Sequence, residues 1–373
     1  MTKTDQDLGA TPLFDRIYAA MVAGAIGDAM GGPVEGWTYQ RIQETHGIVD
    51  DLLPYEFAPD YHNHFRTAPG SVTDDTRLKH LVAGAMVADG SPCWCGALPR
   101  RGDIVWAIVQ AYHAAEMSLE RGFLEEYALG GVYGEAKLIW GGRMTNGFVM
   151  ANAPLGLICP DDPETAFALS FDVDFISDGY AKYAAAMGAA AVAAAMAPDS
   201  TPASIVEQAL AAAKAHRVEG PLTRAWQWYD HVFTLNERLV TIAVDLALRH
   251  RDVFAVRQAY YEQLRVSELG SEAAQTLAVA LGMLVAADGD LRQAIIGCVN
   301  YGRDNDSYAT LAGAIAGAMH GVSAVPENWR RTVEAANPEF DMRATSLKLA
   351  QVVHVRYQRC RRSVRAMRLL LGG

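Results

Sequence analysis

The residues best suited to chemistry fall in two short acidic stretches far apart in the chain. The first is VTDDT, 72–76, where Thr73, Asp74 and Asp75 lead into a run of helical pattern. The second is GRDNDS, 302–307, where Asp304, Asp306 and Ser307 precede another apolar helical run. Helix capping is one reading of both, because such side chains accept from free backbone amides and the helix dipole favours negative charge there. A cap needs one such side chain, and each stretch supplies three. Together they offer four carboxylates and two hydroxyls, a hard oxygen set that suits Mg²⁺, Mn²⁺ or Ca²⁺ and suits zinc poorly. Four carboxylates gathered without a cation repel one another, so a metal accounts for what capping leaves over. Spacing excludes an EF-hand: counted from Asp304, the sixth and twelfth positions hold Ala309 and Ile315 instead of glycine and glutamate. For a joint site, the two stretches must meet in space.

Helices are the elements available to bring them together. Apolar residues recur at helical spacing over 13–26, 75–87, 104–119, 181–196, 237–249, 273–287, 308–319 and 342–356, and alternating β-type runs are nearly absent. The spacing predicts an all-α fold. Gly, Pro and Asp clusters mark the connections, and none is long or simple enough to be a flexible linker. We therefore expect one compact domain over 13–325 and a helical C-terminal extension over 326–373. Two segments read alike, MVAGAIGDAMGG from Met21 and TLAGAIAGAMHG from Thr310. Their small residues fit either a close helix pair or ordinary alanine-rich composition.

Bulk properties narrow the partners. The 373 residues are 51% hydrophobic, enough for a large core, and the formal net charge of -11 argues against a chain built mainly to hold nucleic acid or an anionic membrane. Five scattered cysteines form no pairing framework, which predicts a reducing, cytoplasmic setting. The lone Cys93-Trp94-Cys95 step is a weak zinc signal. The opening MTKTDQDLGATPLFDR has no apolar run of signal-peptide length, and the alanine-rich stretch at 183–197 is shorter than the ~20 residues of a membrane span. That stretch reads as a core helix.

Four motifs in order, GAIGDAMGGPVE (24–35), VTDDT (72–76), TNGFVMANAPLGL (145–157) and GRDNDSYATLAGAIAGAMHG (302–321), resemble the ADP-ribosylglycohydrolase family, which includes dinitrogenase reductase-activating glycohydrolase. The resemblance covers nearly all but the last fifty or so residues. It implies an all-α domain holding two Mg²⁺ or Mn²⁺ ions, with Thr73, Asp74, Asp75, Asp304, Asp306 and Ser307 as ligands. It also implies hydrolysis of an N- or O-glycosidic bond to ribose in an ADP-ribosyl or related substrate, or ADP-ribose binding alone where activity has been lost. Glu35, in the loop GGPVEGW, matches the family's loop glutamate and is the first candidate for acid/base work, with Asp75 the second. Asp28, in the G-D step, is expected to orient the site or touch substrate, and Asn146 and Gly147 match the substrate-contacting loop.

The chain departs from the family pattern in a few places, among them Asn305 where the acidic pair often reads D-T-D. Ser307 stands where threonine is usual and Arg303 where glycine is common, and neither change removes a ligand. Relatives commonly carry T-H-x-H before an alanine-rich helix, whereas this chain has Ser177, Asp178 and Gly179. An aspartate there disfavours a diphosphate, so Asp178 raises a nucleoside-type N-ribohydrolase as the alternative. His62-Asn63-His64 reads as surface loop, and Trp226, Trp228 and Tyr229 as helix packing. The six arginines of HVRYQRCRRSVRAMRLLL, 354–371, read as a solvated basic helix face.

Overall fold

The computed structural model describes residues 8–55, 68–114, 144–177, 179–216, 227–267 and 270–371. Among them run fifteen α-helices. In order they are α1 (Pro12–Gly31), α2 (Tyr39–His46), α3 (Asp74–Val87), α4 (Arg101–Ala114), α5 (Ala153–Leu157), α6 (Pro163–Val173), α7 (Gly179–Ala195) and α8 (Pro202–Ala215). Then follow α9 (Gln227–His250), α10 (Arg257–Gln263), α11 (Ala273–Ala286), α12 (Leu291–Tyr301), α13 (Asn305–His320), α14 (Glu327–Ala336) and α15 (Met342–Leu370). The all-α expectation holds. The only β-type pairings among the described residues are isolated bridges, Thr38 with Gly302 and Thr145 with Glu272.

The centre of the molecule is the pair α1 and α13. Thr11 caps α1 by accepting from Phe14 N, Pro12 follows at the first position, and every residue from Ile17 to Gly31 is buried. On α13 everything from Asn305 to Met319 is buried as well. The two similar small-residue segments lie against each other here, so the close-pair reading is the correct one. A Cβ on Gly27 would come within 2.2 Å of the Ala309 carbonyl oxygen, and one on Gly317 within 2.5 Å of that of Ala19. Backbones this near leave no room for a methyl group. Helix α1 is the one described helix long and apolar enough to cross a membrane, but its length is spent inside this core.

Around the pair, α7 and α11 are buried nearly throughout. The expected core helix at 181–196 is α7. The C-terminal part begins inside the same packing: Trp329, Val333, Leu349 and Val353 are all buried, whereas 359–371 are exposed. Asn337 ties this part to the first acidic stretch, accepting from Val72 N (3.2 Å) and donating to Gly70 O (2.8 Å). The motif His62-Asn63-His64, Trp226 and Asp178 lie outside the described residues, as do the side chains of Trp228 and Tyr229. Cys93 and Cys95 are free thiols, one buried and one exposed.

Candidate active site

The first acidic stretch is held open by a carboxylate from another helix. Thr73 is the N-cap of α3, and its hydroxyl lies 3.4 Å from Asp75 N. The stronger contacts at that end come from Asp28 on α1. Its Oδ1 accepts from Thr73 N (2.9 Å) and Thr73 Oγ1 (2.8 Å), and its Oδ2 accepts from Thr76 N (3.0 Å). Asp28 thus satisfies amides at this helix start that a cap would otherwise take. Its own carboxylate is fully buried with both oxygens engaged.

At the second stretch the cap position is used differently. Asp304 occupies the N-cap position of α13 yet makes no capping bond with its side chain. Instead its Oδ2 accepts from Asn146 Nδ2 at 2.7 Å, and the same amide group donates to Thr276 Oγ1 at 2.9 Å. The Asn146 loop is fixed in turn by pairing with the start of α11, through Asn146 N to Ser271 O and Ala273 N to Met144 O. Gly147 follows, also buried.

The two stretches meet. Thr73 Oγ1 lies 3.3 Å from Asp306 Oδ2, and Ser307 Oγ lies 3.3 Å from Asp75 Oδ2. Glu35 comes to the same place, with one oxygen each of Glu35, Asp304 and Asp306 mutually within 4.8 Å. Its loop is pinned to the second stretch by two short backbone bonds, Gly36 N to Arg303 O and Arg303 N to Trp37 O, both 2.6 Å. The loop is thus tethered immediately after Glu35. Arg303 has φ 61°, a left-handed conformation that costs a non-glycine residue about 1 kcal/mol or more. Those two bonds and the stacking of its guanidinium on Tyr261 (4.9 Å) hold it there.

Burial and crowding push proton affinities up. Burial raises Glu35, reinforced by Asp304, Asp74 and Asp28; burial raises Asp75, with Asp28, Asp74 and Asp304 adding to it; burial raises Asp306, followed by Glu35 and Asp75. Asp75 Oδ1 is buried with no hydrogen-bond partner. A hard divalent cation fits this donor set, because it takes several carboxylate and hydroxyl oxygens and relieves the repulsion among them. Two neighbours carry no motif signal in the sequence. The Tyr55 hydroxyl, donating to Ser71 O at 3.2 Å, sits where Gly32 leaves space, and Lys79 lies on the core side of Asp75. Lys79 lies at i,i+4 from Asp75 on α3, a spacing too common to single it out.

The fold and the paired acidic ends define a class, and comparison with known proteins agrees with it. The ADP-ribosylglycohydrolase family model matches residues 10–362, and the chain belongs to that family. It is thereby one of the glycosidic-bond hydrolases that act on ADP-ribose-type substrates. The chain is 26% identical over 344 residues to the uncharacterized protein YegU of Escherichia coli (strain K12), covering 89% of this chain and 96% of that one. It shares a shorter stretch with ADP-ribosylhydrolase ARH3 of Homo sapiens, 42% identical over 62 residues, 17% of either chain. A solved chain from an ADP-ribosylglycohydrolase-related protein complex superposes with a TM-score of 0.58 over 91% of this chain and 99% of its own, at 22% identity, a likeness of fold.

Proposed function

We propose that this protein hydrolyses a glycosidic bond to ribose with the help of two Mg²⁺ or Mn²⁺ ions bound by Thr73, Asp74, Asp75, Asp304, Asp306 and Ser307. The observation that carries the reading is the convergence of the starts of α3 and α13 in a family member, with Thr73 touching Asp306 and Asp75 touching Ser307. Held by these residues, such ions would polarise a water and grip vicinal ribose hydroxyls.

The residues of the chain divide the remaining work. Glu35, whose proton affinity burial and the neighbouring carboxylates raise, is the group placed to give a proton to the departing group or take one from the attacking water. Asp75 is the second carboxylate placed for proton transfer. Asp28 orients Thr73 and the start of α3, Asn146 steadies Asp304, and with Gly147 it is kept as the substrate-contacting loop that the family resemblance implies. We keep 13–325 as the site-bearing domain and 326–373 as an extension that braces it through Asn337. A cytoplasmic setting remains our reading of the scattered free cysteines.

Asp178 favours a second reading of the substrate, an uncharged N-riboside, because its charge opposes a diphosphate. The deciding experiment incubates the purified protein with Mg²⁺ or Mn²⁺, and separately with chelator, against ADP-ribosylated protein, ADP-ribose derivatives and nucleosides. We expect metal-dependent release of a ribose-containing product. No product from any of them, with a substrate recovered tightly bound and intact, would make the protein a binder instead.

A further inference from the structure

A buried cation stands behind the acidic site, and the chemistry proposed above does not use it. Lys79 lies one turn after Asp75 on α3 and is fully buried. Its Nζ has no hydrogen-bond partner. The ammonium group rests against Gly24 of α1, where a Cβ would lie 2.9 Å from Nζ and 3.2 Å from the Thr310 carbonyl oxygen of α13. Gly24 is itself one turn before Asp28. Lys79 therefore occupies the meeting point of α1, α3 and α13, directly inward of Asp28 and Asp75.

An unpaired ammonium in a dry core is costly unless a field offsets the loss of water. Burial draws its proton affinity down, while Asp28 and Asp75 push it back up. Asp75, one turn away, likewise has an oxygen with no partner. The two unpartnered groups explain each other: the acidic cluster makes the buried lysine tolerable, and the lysine offsets part of the cluster's repulsion. Any divalent ion entering the cluster then meets a like charge behind it.

We propose that Lys79 is a positioning residue that partly neutralises the acidic site from the core side and thereby weakens its hold on divalent cations. This rests on the metal reading given above. A weaker hold keeps the ions exchangeable, and removing the charge should tighten binding.

The test is a calorimetric titration of Mn²⁺ into metal-free wild type and Lys79→Met, whose side chain has similar length and no charge, with thermal melts in chelator and in Mn²⁺. Lys79→Met should bind Mn²⁺ at least tenfold more tightly, equivalent to about 1.4 kcal/mol, and show a larger Mn²⁺-induced rise in melting temperature. Equal or weaker affinity, or melting temperatures shifted by the same amount with and without Mn²⁺, would reduce Lys79 to packing and overturn the proposal. If Lys79→Met does not fold, Lys79→Gln takes its place, and failure of both to fold even in Mn²⁺ also overturns it, since bound ions should restore the charge balance. A wild type that takes up no Mn²⁺ refutes the metal reading itself, whereas a wild type that binds and a variant that binds equally refute the Lys79 role alone.

Discussion

Glu35 separates proton transfer from metal binding better than any other side chain in the cluster. An amide keeps its shape but cannot shuttle a proton, so Glu35→Gln should lower turnover by about 10²-fold or more while changing Mn²⁺ affinity far less. Steady-state rates beside calorimetry check this; an equal loss in both would make Glu35 a ligand. The crowded carboxylates also set a pH dependence. Asp306 has a raised proton affinity when folded, so the folded ion-free protein holds a proton that the unfolded chain releases near pH 4. Its contribution to stability is therefore greatest at low pH and is lost as pH rises above about 4. Chelator-treated Asp306→Asn should show a flatter stability curve above that pH than wild type in urea melts at several pH values, and identical slopes would contradict the account. The acidic residues themselves were legible from their types and spacing. Tyr55 and Lys79 were not, because each acts through a position in space that no local pattern encodes.

Helices α1 and α13 carry the site because they can come unusually close. Asp28 follows Gly27 directly, and Asp306 and Ser307 open the facing helix, so the inter-helix distance sets the distance between the clusters. Gly27→Ala should cost about 1–3 kcal/mol or more by forcing the Ala309 backbone away, and should weaken Mn²⁺ binding with it. Denaturant melts and titration of the same sample measure both, and an unperturbed variant would mean the pair has slack that the geometry denies. Long periodic helices were readable in advance: the expected 75–87 and 273–287 are α3 and α11 to within a residue. The shorter α2, α5, α10 and α14, and also α6, α8 and α12, were not drawn from the sequence. Short helices give few repeats of the apolar period, and packing against neighbours decides them. Helix α15 joins the expected 342–356 to the basic helix face expected over 354–371 in one run, since an arginine-rich stretch has good helix propensity without needing a core.

In the whole molecule, residues from near both ends of the chain are needed to form one small acidic chamber. Asp28 arrives from the first helix, Thr73 to Asp75 from the third, Asn146 from the middle, Asp304 to Ser307 from the thirteenth, and Asn337 steadies the approach to Thr73 from beyond it. The order of the motifs made this convergence an expectation, but it could not reveal that Asp28 caps α3 or that Asn337 braces the loop, because both bonds span long sequence separations. The central claim is that the two acidic stretches form a single divalent-cation site. It is tested most directly by titrating Mn²⁺ into metal-free wild type, Asp75→Ala and Asp306→Ala, with circular dichroism confirming intact helices. Wild type should bind, and either substitution, from opposite ends of the chain, should abolish binding or weaken it at least tenfold. Full Mn²⁺ affinity in both variants, or none in wild type, would contradict the account.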